Sequence, residues 1–292
     1  MIEFTAFNFS ILLFSGVFIG LLGSALGVGG GIFMVPFLVL ALKIPIHQAV
    51  AASLVAIVAA SSAVAAVNVE RGLANIRLGI TLEVTTALGS IAGALAAGRI
   101  PSGAVQFMFA IMLFPVSVMM FLKGMRSLKK PVVPTLHPSS LPAGGPPFRT
   151  GGASPFDSGF FDPAVNAHTH YMVKNMAPAS FISFFAGSLS GLLGIGGGVV
   201  QAPMMNLLCG VPMKAAAATS NFIIGVSAAA SAYVYFRRGL VPLELTATIV
   251  AGVLIGSFLG IYALYKARSE KLQLVFSALT MLVAVKMLME AF

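Results

Sequence analysis

Two glycine-rich motifs are the strongest candidates for chemistry in this sequence. They span Gly27–Gly31 and Gly194–Gly198, and both follow the pattern Gly-x-Gly-Gly-Gly. Glycine has no side chain, so a ligand can approach its backbone closely. A helix that begins directly after such a motif presents unpaired N–H groups and the positive end of its dipole, which together bind anions. The motifs therefore predict a binding site for a small anion, built from Gly27, Gly29, Gly30, Gly31, Gly194, Gly196, Gly197 and Gly198.

Uncharged polar side chains close to the motifs could line the same cavity. The candidates are Ser53, Gln201, Thr219, Ser220 and Asn221. Hydroxyl and amide groups donate hydrogen bonds without a permanent charge, which suits an ion that must leave its site again. Hydrogen bonding between helices explains the same residues equally well, because Ser and Thr commonly have that role in membranes.

Glu83 is the one carboxylate clearly inside an apolar segment. Intramembrane ionisable groups are functional candidates, and Glu83 could bind a coupling proton. A position near the membrane surface beside Arg77 is the alternative, and the equivalent residue in the second half of the chain is Val250. The apolar segments hold no His, Cys, Asp or Glu cluster, and the chain has no phosphate loop of the ATPase type. We therefore expect no enzymatic activity, no metal and no cofactor.

The segments that carry these residues are too apolar for a soluble domain. Of 292 residues, 58% are hydrophobic and only 9% are charged, whereas soluble domains carry about 25% charged residues. The uncharged runs 4–42, 44–69, 175–213 and 215–236 exceed the roughly 20 apolar residues that cross a bilayer. The sequence predicts an all-α, multi-pass membrane protein whose partners are the lipid bilayer and a small anion. The net charge is +9. The basic residues lie between apolar runs, as is usual for residues that set membrane topology, so the charge does not indicate nucleic-acid binding.

The chain contains an internal repeat at an offset of 167 residues. Between 20–93 and 187–260, 25 of 74 pairs are identical without a gap. The matches include Pro36 with Pro203 and Ser53 with Ser220. Shared apolar composition does not align so many Gly and Pro residues at one offset. The sequence thus predicts two homologous repeats of about five hydrophobic segments each.

Each repeat requires a broken helix at its glycine motif. Residues 4–42 would span about 58 Å as one helix, nearly twice the roughly 30 Å of hydrocarbon. The glycines supply the break, because Gly is a poor helix former. Interrupted segments at equivalent places in two halves are typical of transporter sites. Tight helix crossing is the alternative role for the motif glycines, and it is the favoured role for Gly89, Gly93, Gly256 and Gly260.

The organisation is therefore a first transmembrane repeat (1–124), a Pro- and Gly-rich linker (125–177) and a second transmembrane repeat (178–292). We expect the linker to be exposed and cytoplasmic, since its composition does not favour a packed core. The predicted helices are 8–26, 32–42, 47–69, 75–98 and 103–123, followed by 178–193, 199–210, 213–236, 242–265 and 272–291.

The paired motifs, each with Pro five positions on (Pro36 and Pro203), resemble those of the sulfite exporter TauE/SafE family of bacterial membrane proteins. This resemblance covers nearly all of the chain outside 125–177. It implies transport of sulfur-containing anions, such as sulfite, thiosulfate or organosulfonates, across the bacterial cytoplasmic membrane by ion-gradient-coupled secondary transport. The long linker departs from many relatives and leaves the substrate open, with an anion channel and a carrier of another small anion as the alternatives.

The direction of the second repeat depends on the number of crossings. An odd number in each repeat makes the repeats inverted and splits the 17 Lys and Arg residues 12 against 5, whereas an even number splits them 11 against 6. Inverted repeats are favoured, because two opposed half-helices then meet at the midplane and permit alternating access. The sequence does not indicate an oligomeric state.

Overall fold

The computed structural model describes residues 6–26, 29–129, 154–162, 167–266 and part of 277–289. The first half of the chain comprises α1 Ala6–Leu26, α2 Gly31–Pro36 with a π-helical continuation Phe37–Ala41, α3 Ile46–Glu70, α4 Ile76–Ala97 and α5 Ser102–Lys129. A hairpin of β1 Ser158–Asp162 and β2 Ala167–Tyr171 follows. The described part of the second half comprises α6 Met176–Leu193, α7 Gly198–Leu207, α8 Met213–Arg237 and α9 Leu243–Lys266. Most of the predicted last helix (272–291) lies outside the described residues.

The described helices form a membrane-embedded bundle. Five of them (α3, α4, α6, α8 and the Leu243–Tyr262 part of α9) are long and apolar enough to span a bilayer. Large apolar side chains such as Phe14, Phe181 and Phe258 are more than half exposed on the outside of the bundle. Water would not tolerate so much apolar surface, whereas lipid would. The chain is therefore a multi-pass helical membrane protein.

Glycines let two pairs of helices pack almost backbone to backbone. In the α4–α6 pair, a methyl group on Gly89 or Gly93 would overlap the carbonyl oxygen of Phe184 or Ser188, respectively. In the α1–α9 pair, a methyl group on Gly256 would overlap the carbonyl oxygen of Val17. Gly260 lies against Leu21 in the same way. These four glycines thus serve close helix crossing, as small residues do in membranes.

Helices from the first half of the chain pack mainly against helices from the second half. Helix α1 lies along α9, α4 lies along α6, and α3 packs against α8. Residue 256 contacts residue 17 in the same way as residue 89 contacts residue 184. The offset of 167 relates residue 17 to residue 184 and residue 89 to residue 256. Neither half therefore buries its apolar faces without the other.

The second part of the linker is more ordered than its composition suggests. Residues 158–162 and 167–171 pair antiparallel, and Phe160, Tyr171 and Val173 are buried in a small apolar cluster that includes Leu78 of α4. The Asn75 amide donates to the Phe156 carbonyl over 2.7 Å and to the Tyr171 hydroxyl over 3.3 Å. The expectation of an exposed linker thus does not hold for this hairpin, because three apolar side chains in 156–173 find an apolar surface on the helices. Helix α5 also extends to Lys129, beyond the predicted boundary at 124, and residues 130–153 lie outside the described part.

Candidate functional site

Each glycine motif lies between two described helices. Helix α1 ends at Leu26 and α2 begins at Gly31, while α6 ends at Leu193 and α7 begins at Gly198. Gly29, Gly30, Gly194, Gly196 and Gly197 have φ between 70° and 83°. This left-handed region is accessible to glycine at little cost. Gly27 lies outside the described residues.

The two motifs touch each other. A methyl group placed on Gly31 would lie 2.6 Å from the Gly194 carbonyl oxygen and 2.9 Å from the Ile195 Cα. Such distances are far below van der Waals contact, so only glycine permits this approach of two backbones. Residues far apart in the chain therefore form one buried backbone contact, between the first residue of α2 and the chain that follows α6.

The same two isoleucines hold both motifs. A methyl group on Gly29 would lie 3.1 Å from Ile57 Cγ2 and 3.2 Å from Ile224 Cγ2. On Gly196 it would lie 2.7 Å from Ile224 Cγ2 and 3.1 Å from Ile57 Cγ2. Ile57 and Ile224 are fully or nearly fully buried, and they occupy equivalent positions on α3 and α8. The contact between α3 and α8 therefore fixes the distance between the motifs.

Ser53 reaches the motif of the opposite half. Its hydroxyl lies one turn before Ile57 and donates a 2.7 Å hydrogen bond to the Gly194 carbonyl. The equivalent Ser220 lies one turn before Ile224 and is fully buried, and its hydroxyl has no partner among the described residues. The neighbouring Asn221 is also fully buried, with neither side-chain polar atom paired within the described part. Buried polar groups are normally satisfied, so the lack of partners at Ser220 and Asn221 within the described part is unusual.

Gln201 connects the second half-helix to α4. It is fully buried on α7, four residues after Gly197, and its Nε2 donates to the Thr86 hydroxyl over 2.6 Å. Its Oε1 has no partner among the described residues. Glu83 lies one turn before Thr86 on the same helix and is 9% exposed, with both carboxylate oxygens unpartnered in the described part. The Glu83 side chain therefore packs inside the bundle rather than on its outer surface.

Thr219 has a different environment from the other candidates. Its hydroxyl accepts a 2.9 Å hydrogen bond from the backbone N–H of Asn75, the residue that caps α4 through Leu78. A methyl group on Gly79 of α4 would lie 3.5 Å from Thr219 Cγ2. Thr219 thus joins α8 to the start of α4, and these contacts do not bring it to the motifs.

Sequence reasoning missed three polar residues beside the motifs. A methyl group on Gly29 would lie 3.3 Å from the Ser61 hydroxyl, and one on Gly197 would lie 3.6 Å from the Ser190 hydroxyl. Both hydroxyls are buried without a partner among the described residues. Thr86 is the third, through its bond to Gln201. None of the three matches an identical residue in the other repeat, so comparison of the halves gives no signal for them.

Pro36 and Pro203 lie inside the two short helices. Proline removes a backbone donor, and the chain continues as a π-helical turn directly after Pro36. These prolines shape the half-helices and offer no group to a ligand.

Together, the fold and the site define a class of protein. A multi-pass bundle that encloses non-helical backbone tolerates it only where protein buries it or where it borders a cavity. Such broken helices, with unpaired polar groups around them, are characteristic of membrane transporters.

The chain belongs to the sulfite exporter TauE/SafE family, a family of membrane transporters, whose sequence profile matches residues 12–287. It is 26% identical over 290 residues to the probable membrane transporter protein YunE of Bacillus subtilis (strain 168), covering 97% of this chain and 98% of that one. It is also 34% identical over 89 residues to sulfite exporter TauE/SafE family protein 5 of Arabidopsis thaliana, which is 30% of this chain and 20% of that protein. Over 71 residues it is 38% identical to family protein 6 of the same plant, or 24% and 16% of the two chains. No solved structure matches the chain at a significant level.

Proposed function

We propose that this protein is a secondary transporter of a small anion and that the two glycine motifs form its substrate site. The observation that carries the proposal is the contact of Gly31 with Gly194 and Ile195, which joins two helix breaks at one place. Helix α7 begins there, and its first N–H groups have no acceptor within their own helix. These amides and the positive end of the helix dipole favour an anion.

The polar side chains around the motifs complete this site. Asn221, Ser220 and the Gln201 Oε1 are buried, and none of these groups has a partner within the described part of the chain. An oxyanion accepts hydrogen bonds from hydroxyl and amide donors. We assign Ser53 a supporting role, since its hydroxyl already binds the Gly194 carbonyl. Without a fixed positive charge in this set, release of the anion is not opposed by an ion pair.

We propose that the two repeats are inverted and that transport proceeds by alternating access. Arg238 directly follows α8 and donates to the Ala94 carbonyl near the end of α4 over 2.9 Å. Arg238 also lines a cavity with His47, which lies at the start of α3. The end of α8 and the start of α3 lie at the same cavity, which supports opposite directions for these two helices. Opposed half-helices that meet at one site are the usual basis of rocking motions between two access states.

The substrate class follows from the family. The name of the family includes sulfite export, so we propose a sulfur-containing anion such as sulfite, thiosulfate or a small sulfonate. The composition of the site suits other small anions as well, and a carboxylate is the alternative substrate. We further propose a location in a bacterial cytoplasmic membrane with the linker in the cytoplasm, which agrees with the 12-against-5 split of basic residues.

Glu83 is the proposed site of a coupling proton. It lies one turn from Thr86, which holds Gln201 of the second half-helix. Its carboxylate is buried without a partner among the described residues. Burying an unpaired charge is costly, whereas a protonated carboxyl is tolerated. Binding and release of a proton at Glu83 would therefore act on the helix that carries part of the substrate site.

Counterflow in proteoliposomes tests the proposal. Vesicles loaded with unlabelled sulfite, thiosulfate or methanesulfonate are diluted into the labelled anion, with and without a pH gradient. A carrier gives saturable, transient accumulation of label, and its uptake responds to the gradient. A channel gives no counterflow overshoot, because it does not couple the two fluxes. No flux of any of the three anions would remove the sulfur-anion assignment and direct the search to carboxylates.

A further inference from the structure

A cavity with basic residues in its wall lies away from the glycine motifs, at the end of the bundle where α3 begins and α4 and α8 end. Its volume is about 700 Å³ and it opens to the surface. His47, Arg99 and Arg238 line it, together with Tyr235 and apolar residues of the last turns of α4. None of the described residues that line this cavity is acidic. The cavity is thus large enough for a hydrated small ion and has a positive wall.

The usual topology signal does not explain these charges. Basic residues concentrate on the cytoplasmic side of membrane proteins. With an odd number of crossings in each half, Arg99 and Arg238 lie on the side that holds 5 of the 17 Lys and Arg residues. Arginines that gather around a cavity on the sparsely charged side therefore call for another role.

One of the arginines is held rigidly and the other is free of described partners. Arg238 donates to the Ala94 carbonyl over 2.9 Å and to the Leu95 carbonyl over 3.0 Å, so it caps the end of α4. Within the described chain, the Arg99 side chain has no hydrogen bond or ion pair and is exposed. An incoming anion can therefore bind Arg99 without breaking a hydrogen bond of the described chain, whereas Arg238 already binds two carbonyls.

A hydrogen bond joins the lining of the cavity to the end of α6. Tyr235 lines the cavity, and its hydroxyl donates to the Leu192 carbonyl over 3.4 Å. Leu192 lies two residues before Gly194, at the end of α6. The wall of the cavity therefore contacts the helix that ends at the second glycine motif.

We propose that this cavity is the extracytoplasmic vestibule of the transporter, in which Arg99 and Arg238 concentrate small oxyanions before or after their passage through the glycine site. The inference rests on the proposed function for its connection to transport. Positively lined clefts raise the local concentration of anions and the rate of association. The chemistry recognised is an oxyanion, which a free solute or a lipid phosphate could supply.

The charge of the cavity can be measured independently of any flux. Ala96 lines it, and an Ala96→Cys reporter in whole cells would be modified from outside by membrane-impermeant anionic and cationic thiosulfonate reagents of similar size. Background from Cys209 is low, because that thiol is buried and burial raises its pKa. Removing one charge a few ångströms away slows the anionic reagent about threefold and speeds the cationic one about threefold. Arg99→Gln should therefore lower the anionic-to-cationic rate ratio about tenfold.

Matched variants separate charge from structure. Arg99→Lys should keep the ratio. Arg237→Gln should also keep it, since Arg237 precedes Arg238 but does not line the cavity. A ratio near one in the parent reporter, or an equal ratio after Arg99→Gln, would overturn the inference. Lack of labelling from outside at Ala96→Cys would overturn the extracytoplasmic assignment.

Two further measurements are needed. The first distinguishes a free anion from a lipid headgroup as the ligand, and the second separates failure of the vestibule from failure of the proposed transport function. Methanesulfonate should slow labelling in vesicles of neutral lipid. Protection that requires anionic lipid instead would assign the cavity to a headgroup and refute the vestibule. In counterflow of thiosulfate, Arg99→Gln should raise KM about threefold at unchanged maximal rate. A normal KM in that variant, with flux intact, would refute the vestibule and leave the transporter standing. If the labelling ratio shows an anion-selective cavity but counterflow shows no anion flux, the proposed transport function is refuted and the charge of the cavity is not.

Discussion

Gly31→Ala is the sharpest test of the central site. Gly31 opens α2 and its φ is not in the left-handed region, so alanine is compatible with the backbone there. The added methyl group meets Ile57 Cδ1 at 2.5 Å, the Gly194 carbonyl oxygen at 2.6 Å and Ile195 Cα at 2.9 Å. Two of these three atoms are backbone of the opposite motif and cannot rotate away. The substitution must therefore separate the motifs.

The size of the effect follows from these distances. Carbon–carbon contacts have their optimum at about 3.5–4.0 Å, so the motifs must part by roughly 1 Å. A displacement of that size in a positioned site costs about 100-fold in rate. Overpacking of a core costs about 1–3 kcal/mol, which a stable bundle survives. We expect a folded, inserted protein whose counterflow rate falls about 100-fold.

Counterflow at matched protein density provides the measurement, and thermal unfolding in detergent confirms folding. Gly103→Ala is the control on an exposed site, because a methyl group there meets nothing within 4 Å. Gly225→Ala is the buried control, since its methyl group would lie in ordinary contact, 3.5 Å from Ser61 Cβ. Both controls should transport normally. Ile57→Val in the Gly31→Ala background should not restore transport, because it removes only the side-chain clash.

Normal flux in Gly31→Ala would refute the reasoning. It would mean that the spacing of the two motifs does not matter to the substrate, and the glycines would then serve helix crossing only. Restored flux in the double variant would place the important contact at Ile57 rather than at the backbone of the second motif.

Three further predictions concern the surroundings of the site. Glu83→Gln should abolish the response of uptake to a pH gradient while exchange of thiosulfate persists, and a retained response would exclude Glu83 as the coupling group. Gln201→Leu removes the amide that donates to the Thr86 hydroxyl, while the bond of that hydroxyl to the Leu82 carbonyl remains, so the cost is about 0.5–1.5 kcal/mol. The substitution should raise KM about tenfold; an unchanged KM would place Gln201 outside the site. Deletion of 135–150 should leave transport unchanged, whereas Phe160→Ala should weaken hairpin docking by about 3 kcal/mol, seen as faster hydrogen exchange in the hairpin. Lost flux in the inserted deletion variant, or unaltered exchange after Phe160→Ala, would contradict these roles.

Helix positions were largely predictable because of simple physical limits. The predicted segments 47–69 and 213–236 are observed as Ile46–Glu70 and Met213–Arg237. Charged turns such as Glu70-Arg71 and Arg237-Arg238 mark the ends of apolar runs, and a bilayer sets their length. The hairpin was not predictable, because its order depends on an apolar surface that helices from both halves create.

The polar part of the site was only partly predictable. Ser53 and Ser220 were indicated by their equivalence in the repeat, and both lie one turn from an isoleucine that touches the motifs. Thr219 was expected beside them but binds the start of α4 instead, because neighbouring residues on a helix point about 100° apart. Thr86 became visible only through its contact with Gln201, which lies 115 residues away in the chain.

The sequence by itself indicated that lipid surrounds the helices, and it predicted the limits of most described helices and two helix ends at the glycine motifs. Each of these depends on local composition or on the lack of a side chain at glycine, which require no knowledge of neighbours. Only the tertiary structure decided that the first helix of one half packs against the fourth helix of the other. It also decided that the two breaks touch, and that three arginine and histidine side chains share one cavity. Those facts depend on distances between residues far apart in the chain, which packing of complementary surfaces sets and local sequence does not.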